Sequence, residues 1–568
     1  MASNFLSANI HLLKGVKPFK ERMKGQEDPP VIQQSNYLKT FMLKILHDNL
    51  HEAYLEYGDI VPGPAPPTTR MATSHPPVIE YDVIIVGAGG AMRFPKDVGS
   101  SKAKTHFMTD GYITKFNLEM KEFPNYDEKG LSLIYGLKEQ TNLWEENHFA
   151  TVWPDWKKGI SGVDVKDIGD YYSKTTKVVT DQLIAWLKNT TTIEEEIKVW
   201  ERWINIWSQF TLESFLESNV DVIRAKLTKD DQDCLNIKML GKLLPWSNDA
   251  VRGYSVFSYT QQLDRALDGY LRGQLGNWSS PDMRTLVGGM HSLPKAFFTC
   301  KKDPLVSDDI DMKKQVYKIR YHSSSSQPND DYVIVACYAN SPEPERQYTA
   351  RAVILTTQVN ILRQITFEPI LPTQEDREAL RKNLQAIEDM FTGPATKIFL
   401  QTKTRFWEEE KYDIHGGFSK TNLPIGQIHY VKPDPEYLAS TKQGIIMSYT
   451  WKNEALLFGS LTQEQAEKEV IEQVGEIHPD IKEEGAVEKC IVHAWYNQPS
   501  YQGAYGILKT IQFNNIRYLW EPMGNVHFAG DNISFTAGWI QGAVESGFKS
   551  AYQVYARHMK RVECEGKD

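Results

Sequence analysis

Residues Tyr81 to Pro95 read YDVIIVGAGGAMRFP, and two patterns meet inside this stretch. Tyr81 to Val86 is short, apolar and β-branched, as expected of a strand buried in a parallel sheet. Gly87-Ala88-Gly89 then opens the kind of turn that brings a pyrophosphate to a helix N-terminus. The dinucleotide fingerprint needs a third glycine three residues after Gly89, but Met92 stands there and no helical periodicity follows. Arg93 and Pro95 come instead. The stretch starts a nucleotide-binding α/β unit and leaves it before its crossover helix.

Upstream, Tyr37 to Tyr57 carries Leu38, Met42, Leu43, Leu46 and Leu50 at helical spacing, and Val61 to Pro77 is a proline-rich linker. Downstream, residues 96–150 are polar and weakly periodic. Tyr171 to Leu240 has helical spacing with Trp186, Trp200, Trp203 and Trp207, whose plain reading is helix-packing core. Pro245 to Met283 continues as loop-broken helix. Val316–Tyr321 and Tyr332–Tyr338 alternate as paired strands around a serine turn at Ser323–Ser326. Further strands are expected at Ala352–Thr356, Lys397–Leu400, Ile445–Tyr449 and Val526–Ala529, and a helix at Glu464–Val474. A last helix is expected from near Gly538, with Ile540, Ala543, Val544, Gly547, Ala551, Val554 and Tyr555 on one apolar face.

A chain of 568 residues is too long for one core and predicts two or three domains. The formal net charge of -9 provides no basic field for nucleic acid or anionic lipid. Cys234, Cys300, Cys337, Cys490 and Cys564 are scattered with no CxxC pair, so no metal site and no disulfide framework are expected. No apolar run approaches the roughly 20 residues of a spanning helix, and the N-terminus lacks the pattern of a signal peptide, so no membrane association is expected and a cytoplasmic location is.

The strongest local chemistry lies in HFAGDNISFTAGWIQGAVESG, residues 527–547. A strand ends at Gly530, an acid follows at Asp531, and the helix start offers backbone N–H groups and a positive dipole end. Such an end can hold the anionic charge of a reduced flavin ring. The plain alternative is a turn-capping Asp531 and a core Trp539.

This segment resembles the C-terminal flavin segment of the flavin-dependent amine oxidases, closest to the L-amino-acid oxidases. Other stretches are similar in the same chain order: VGGMHSLPKAF at 287–297, MKKQVYKI at 312–319, ARAVILTT at 350–357, ITFEPILP at 365–372, the region from TKIFL to TNLP at 396–424, IIMSYTW at 445–451 and AWYNQPSYQGAYG at 494–506. The resemblance implies a mixed α/β architecture: an incomplete FAD/NAD(P)-binding Rossmann-like domain, a mixed-sheet substrate domain and a helical insertion. The implied boundaries are 1–77 for an N-terminal extension and linker, 78–95 with 281–360 and 490–562 for the FAD domain, 155–280 for the helical domain and 361–489 for the substrate domain.

The resemblance also assigns roles. Arg93 of GAMRFP matches the arginine that holds the substrate carboxylate, a pairing suited to a planar guanidinium. Tyr449 matches the tyrosine whose hydroxyl meets the same carboxylate. Lys397 matches the catalytic lysine that holds a water near flavin N5; without such a job a lysine in an apolar strand is costly unless it lies on an exposed edge. The Gly538 carbonyl and Trp539 ring match groups around the substrate amine. For FAD, the resemblance implies Gly87 and Gly89 in the pyrophosphate turn, Gly90, Ala91, Met92 and Arg93 beside the flavin, and Val316 at the adenine. Asp531 would bind the ribityl chain, where relatives often carry Glu. The backbone N–H groups of Trp539, Ile540, Gln541, Gly542 and Ala543 would face the pyrimidine edge.

The implied activity is FAD-dependent oxidative deamination of L-amino acids by oxygen, giving a 2-oxo acid, ammonia and hydrogen peroxide. The chain departs from the family at one place. GAG runs directly into GAMRFP, without the pyrophosphate helix, the ribose-binding acid or the RxGGR-like loop. Part of the FAD-binding segment is missing, and most ADP contacts go with it, so an inactive chain as written is one of the expectations. Two alternatives stay open: an amino-acid monooxygenase or other amine oxidase, and a scaffold that takes up no flavin. The sequence leaves open whether the chain forms a homo-oligomer.

Overall fold

The computed structural model describes residues 81–86, 94–95, 106–258, 263–275, 283–299, 310–322, 331–338, 346–370, 373–510, 512–534 and 537–565. The expected helix at Tyr37–Tyr57, the linker at Val61–Pro77 and the turn at Ser323–Ser326 lie outside these residues.

Strand β1 (Tyr81–Val86) forms as expected and runs parallel to β9 (Arg346–Leu355), from Tyr81↔Ala350 to Val86↔Leu355. The carboxyl half of β9 also pairs in parallel with β18 (Val526–Phe528), with Phe528 opposite Leu355. Val86, Leu355 and Phe528 therefore end level. The amino half of β9 pairs antiparallel with β8 (Tyr332–Cys337), which pairs antiparallel with β7 (Val316–His322), and β10 (Thr366–Pro369) adds in parallel to β7. Val353, Leu355, Val526 and Phe528 are fully buried, which explains the near-continuous apolar runs of these strands.

Among the described residues β1 is an edge strand, paired only with β9. Seven residues separate Val86 from Phe94. A parallel crossover needs a dozen or more, so none can form there. The chain instead leaves the sheet: β2 (Phe94–Pro95) pairs antiparallel with β6 (Met283–Leu286), which also pairs with β3 (Met120–Glu122). Phe94 anchors this exit in a small core with Ile113, Leu286 and Leu293.

A second sheet has seven strands, ordered β16 (Val487–Ala494), β12 (Ala395–Thr402), β15 (Gly444–Trp451), β14 (Gln427–Val431), β13 (Phe418–Thr421), β4 (Leu131–Ile134) and β5 (Leu137–Gln140). Strands β4 and β5 come from the weakly periodic 96–150 region; at four residues each they are too short to show a period. Ile398, Leu400 and Ile446 pack in one core with Val470, Val474 and Ile477 of a helix at Gln463–Ile477. That helix starts at a capping box between Thr462 and Gln465.

The tryptophan-rich region is helical, as expected. Helix α1 (Phe107–Lys115) precedes it, and α2 (Ile168–Lys188) and α3 (Ile193–Trp207) form its centre. Trp186, Trp200, Trp203 and Trp207 are all buried in one core. Trp203 Nε1 donates to the Val179 carbonyl at 3.1 Å and Trp207 Nε1 to Gln182 Oε1 at 3.0 Å, so these two rings bring their polar atoms into the core satisfied, whereas Trp200 Nε1 is buried without a partner.

The last helix, here α4 (Ile540–Glu565), corrects the expected apolar face. Ile540, Ala543, Val544, Gly547, Val554 and Tyr555 are only half-buried, and Ala551 is exposed. Apart from Gly542, the buried positions are polar: Gln541, Glu545, Ser546, Lys549 and Ser550. The reason is what the helix covers. Ser546 Oγ accepts from Gly530 N and donates to the Gly530 carbonyl, Ser550 Oγ donates to the Phe528 carbonyl, and Lys549 Nζ donates to the carbonyls of Trp520 and Phe528. The helix lies against the backbone at the end of β18, whose polar groups must be satisfied.

Candidate active site

Three parallel strands end level at Val86, Leu355 and Phe528, and ligands of open α/β sheets bind at such carboxyl ends. Beyond Phe528 the chain turns at Gly530, whose φ of 131° favours glycine. Asp531 follows, and its Oδ2 accepts from Gly538 N at 3.2 Å and Gly506 N at 3.4 Å. The turn-capping reading of Asp531 is thus part of the truth. Burial pushes its carboxyl pKa up, while these N–H groups oppose the shift. Gly538 has φ of 82°, and α4 begins two residues later.

The N–H groups of Ile540, Gln541 and Gly542 belong to the first turn, where helix donors lack intrahelical acceptors. Ala543 is different: its N–H bonds the Trp539 carbonyl at 3.3 Å, so it does not join an outward-facing donor set. Gln541 is fully buried and caps α1, with Oε1 accepting from Met108 N at 3.0 Å and Thr109 N at 3.1 Å. Trp539 is half-buried, edge-on to His106 at 5.1 Å between ring centres.

The second half of the site is a row across three strands. Lys397 on β12 faces Tyr449 on β15 and His493 on β16. Directly opposed residues share a face, so all three side chains project together. Lys397 is 9% exposed, and β12 lies between two strands, which removes the exposed-edge explanation for this lysine. Its Nζ lies 4.8 Å from the Tyr449 ring centre and 5.6 Å from that of Trp495. Trp451 stands edge-on to Tyr449 at 4.6 Å, and Trp495 edge-on to His493 at 4.3 Å. Burial and then the Lys397 charge lower the His493 pKa. His493, Trp451 and Trp495 were missed as site residues. Only strand pairing brings them around the lysine, and sequence spacing does not report it.

Two short strands connect the halves. In β11 (Phe391–Gly393) and β17 (Tyr505–Ile507), Thr392 pairs with Gly506, the residue whose N–H meets Asp531. From Thr392 to Lys397 the chain spans at most about 17 Å. A Cβ on Gly506 would fall 2.7 Å from Asn532 Cα, so glycine allows this close approach. Val316 is not brought to this edge. It opens β7 opposite Cys337, which faces Arg346 at the far end of β9 from Leu355, about 30 Å away along the strand. Gly87, Gly89, Gly90, Ala91, Met92 and Arg93 lie outside the described residues.

The level parallel strand ends are thus joined through β11 and β17 to a second sheet whose buried Lys397 lies beside the Tyr449 and Trp495 rings. The family model for flavin containing amine oxidoreductases matches residues 187–555, and the chain belongs to that family. The protein YobN of Bacillus subtilis (strain 168), whose name assigns it provisionally to the L-amino-acid oxidases, is 30% identical over 47% of this chain and 52% of its own length. The L-amino-acid oxidase of Mus musculus is 28% identical over 47% of this chain and 38% of its own length. The chain thus matches about half or less of those two relatives. The L-amino-acid oxidase of Notechis scutatus scutatus is 24% identical over 82% of this chain and 76% of its own length. Among solved structures, a cyclohexylamine oxidase from Brevibacterium oxydans IH-35A has a TM-score of 0.52 at 15% identity, covering 84% of this chain and 93% of its own. A redesigned putrescine oxidase has a TM-score of 0.51 at 14% identity, covering 84% of this chain and 99% of its own. These structures share the fold.

The cofactor of the family is a flavin, and its two halves fare differently against this chain. The half-buried Asp531 carboxyl, the positive-φ turns at Gly530 and Gly538 and the unpartnered, buried Asn532 Nδ2 suit a polar ring and its ribityl chain. For the nucleotide half, the seven residues between β1 and β2 are too few for the crossover helix that usually supports it. No helix among the described residues is long and apolar enough to cross a membrane.

Proposed function

We propose that this chain is built for oxidative deamination of L-amino acids to 2-oxo acids, with ammonia and hydrogen peroxide as the other products. The observation that carries this reading is the His493–Lys397–Tyr449 row, joined through β11 and β17 to Asp531. A bound FAD would accept two electrons and a hydrogen from the substrate Cα and pass the electrons to oxygen. The chain's own residues do the rest. Tyr449, together with Arg93, holds the substrate carboxylate, which separates an amino acid from a simple amine. The Lys397 ammonium, steadied by the Tyr449 and Trp495 rings, positions water at the reacting face. The Gly538 carbonyl and Trp539 ring orient the amine. Entry of a neutral amine makes a dedicated protein base unnecessary.

The full chain, supplied with FAD and L-amino acids, should release 2-oxo acid, ammonia and peroxide in equal amounts. An amide with carbon dioxide would instead identify a monooxygenase. The short link between Val86 and Phe94 favours one other reading, a scaffold that takes up no flavin. Protein that stays colourless after incubation with FAD would establish that reading and end the oxidase one.

A further inference from the structure

Two buried glutamines show how this fold treats a side-chain amide. Gln182 donates to the Asp231 carbonyl at 2.9 Å and accepts from Trp207 Nε1 at 3.0 Å. Gln473 accepts from Ile425 N at 2.9 Å and donates to Glu469 Oε1 at 2.7 Å. Both ends of each amide are used. Gln427, at the start of β14, is different. It is 3% exposed, and its backbone joins β13 and the Ile425 carbonyl. Among the described residues its side-chain amide has no hydrogen-bond partner. A buried amide left unpaired is costly, and nothing in the proposed reaction uses it.

Cross-strand register shows where this amide stands. His429 of β14 opposes Met447 of β15, and residues two apart on a strand share a face. Gln427, His429, Met447 and Tyr449 therefore lie on one face, together with Lys397 and His493. The Ile428–Ser448 pair puts Gln427 abreast of Tyr449, about 5 Å away across the strands and about 10 Å from Lys397. The opposite face is filled, because Ile398, Ile428 and Ile446 share a core with the Gln463–Ile477 helix. On the side away from Tyr449, Lys420 of β13 directly opposes Gln427. Lys420 Nζ donates to the Phe257 carbonyl at 2.6 Å and lies 4.5 Å from the Phe257 ring centre. That lysine ties the end of the helix Asn248–Phe257 to the sheet and closes the row beyond Gln427.

We infer that Gln427 is a specificity-determining residue that hydrogen-bonds the end of the substrate side chain, so that the site prefers amino acids ending in a carboxamide over those ending in an alkyl group. This rests on the L-amino-acid reading of the site. With the α-carboxylate at Tyr449, a side chain running along the row away from Lys397 meets Gln427 one strand further on. A carboxamide carries a donor and an acceptor, as Gln427 does, so the pair closes two hydrogen bonds. An alkyl end leaves the Gln427 amide unpaired, and a site with a buried polar group left unpaired rejects such a ligand.

The test is binding of glutaramate, a carboxylate with a carboxamide end, against the isosteric acid in which an isopropyl group replaces the carboxamide. Both are measured by calorimetry on the full chain with FAD present. Glutaramate should bind roughly 10-fold or more tightly than the alkyl acid. Gln427→Leu should remove that preference, and Gln427→Asn, which keeps the amide on a shorter stem, should retain part of it. Equal affinities or tighter binding of the alkyl acid in the unaltered protein overturn the inference, even if no variant folds; so does a preference that survives Gln427→Leu. A peroxide assay separates this from the parent reading. Peroxide from L-leucine with no glutaramate preference removes the role of Gln427 and leaves the oxidase. A Gln427-dependent glutaramate preference with no oxidation of any L-amino acid keeps the receptor and removes the oxidase.

Discussion

The two sheets of this protein differ in how they are closed. In the seven-stranded sheet β12 is paired along both edges, and Lys397 stands opposite a residue on each side. In the sheet that starts at Tyr81, β1 has one partner among the described residues, and the chain leaves it after a seven-residue link. The first site is built from antiparallel neighbours drawn from residues 395–494. The second needs strands from residues 81, 346 and 526 to meet, and a crossover to bring in the nucleotide. One missing stretch of chain can therefore remove half of the cofactor's support while leaving the His493–Lys397–Tyr449 row whole.

The comparison can be broken most forcefully at Lys397. Replacing it with Met should lower kcat/KM for L-amino acids about 100-fold or more, the usual scale for a group that handles protons or water at the reacting atom. The flavin content should not change. Loss of flavin together with activity would mean that the two sheets are not separable in function. A smaller effect is expected at Tyr449. Tyr449→Phe should raise KM about 10-fold, the value of one hydrogen bond to a charged group, with kcat nearly unchanged. A fall in kcat alone would move Tyr449 from binding to chemistry.

The open sheet is sharpened by a cofactor comparison. If the nucleotide half has lost its supports, FAD and FMN should bind within about threefold of each other, a difference of about 0.6 kcal/mol. Titration of flavin-free protein, followed by fluorescence quenching, reads this directly. A strong preference for FAD would place an adenosine site in residues that are not described.

Each sheet also has a buried histidine. Burial lowers His478, below the seven-stranded sheet, and His527, in β18, each to about 3. A folded-state pKa below the unfolded value means that the unfolded chain binds more protons. Stability is present above the ordinary histidine pKa and is lost as pH falls from about 6.5 towards 3, at roughly 1.4 kcal/mol per pH unit for each residue. Urea unfolding at pH 7 and pH 5 should show the loss, and His478→Asn should reduce it. An unchanged slope would mean that His478 is not held neutral.

Much of the fold could be read from the sequence because it was written in local period. The apolar runs at Tyr81, Ala352 and Val526 became neighbouring parallel strands, and the tryptophans of 171–240 became core. The face of the last helix was misread because its burial is driven by hydrogen bonds to the β18 backbone. Hydrophobic spacing carries no trace of Ser546, Lys549 and Ser550 meeting Gly530 and Phe528. In the candidate site, Lys397 and Tyr449 were identified through family resemblance, and the structure adds that they are direct cross-strand partners. His493 was invisible because its place beside Lys397 is set by strand pairing.

The central claim is that the Lys397–Tyr449 row serves a flavin held at Asp531. It is tested most directly by mixing FAD-loaded protein with an L-amino acid without oxygen and following the yellow absorbance. The account predicts bleaching with L- and not D-amino acids, slowed about 100-fold or more in Lys397→Met. Protein that binds flavin and keeps its colour with every L-amino acid, or that bleaches equally fast without Lys397, would contradict it.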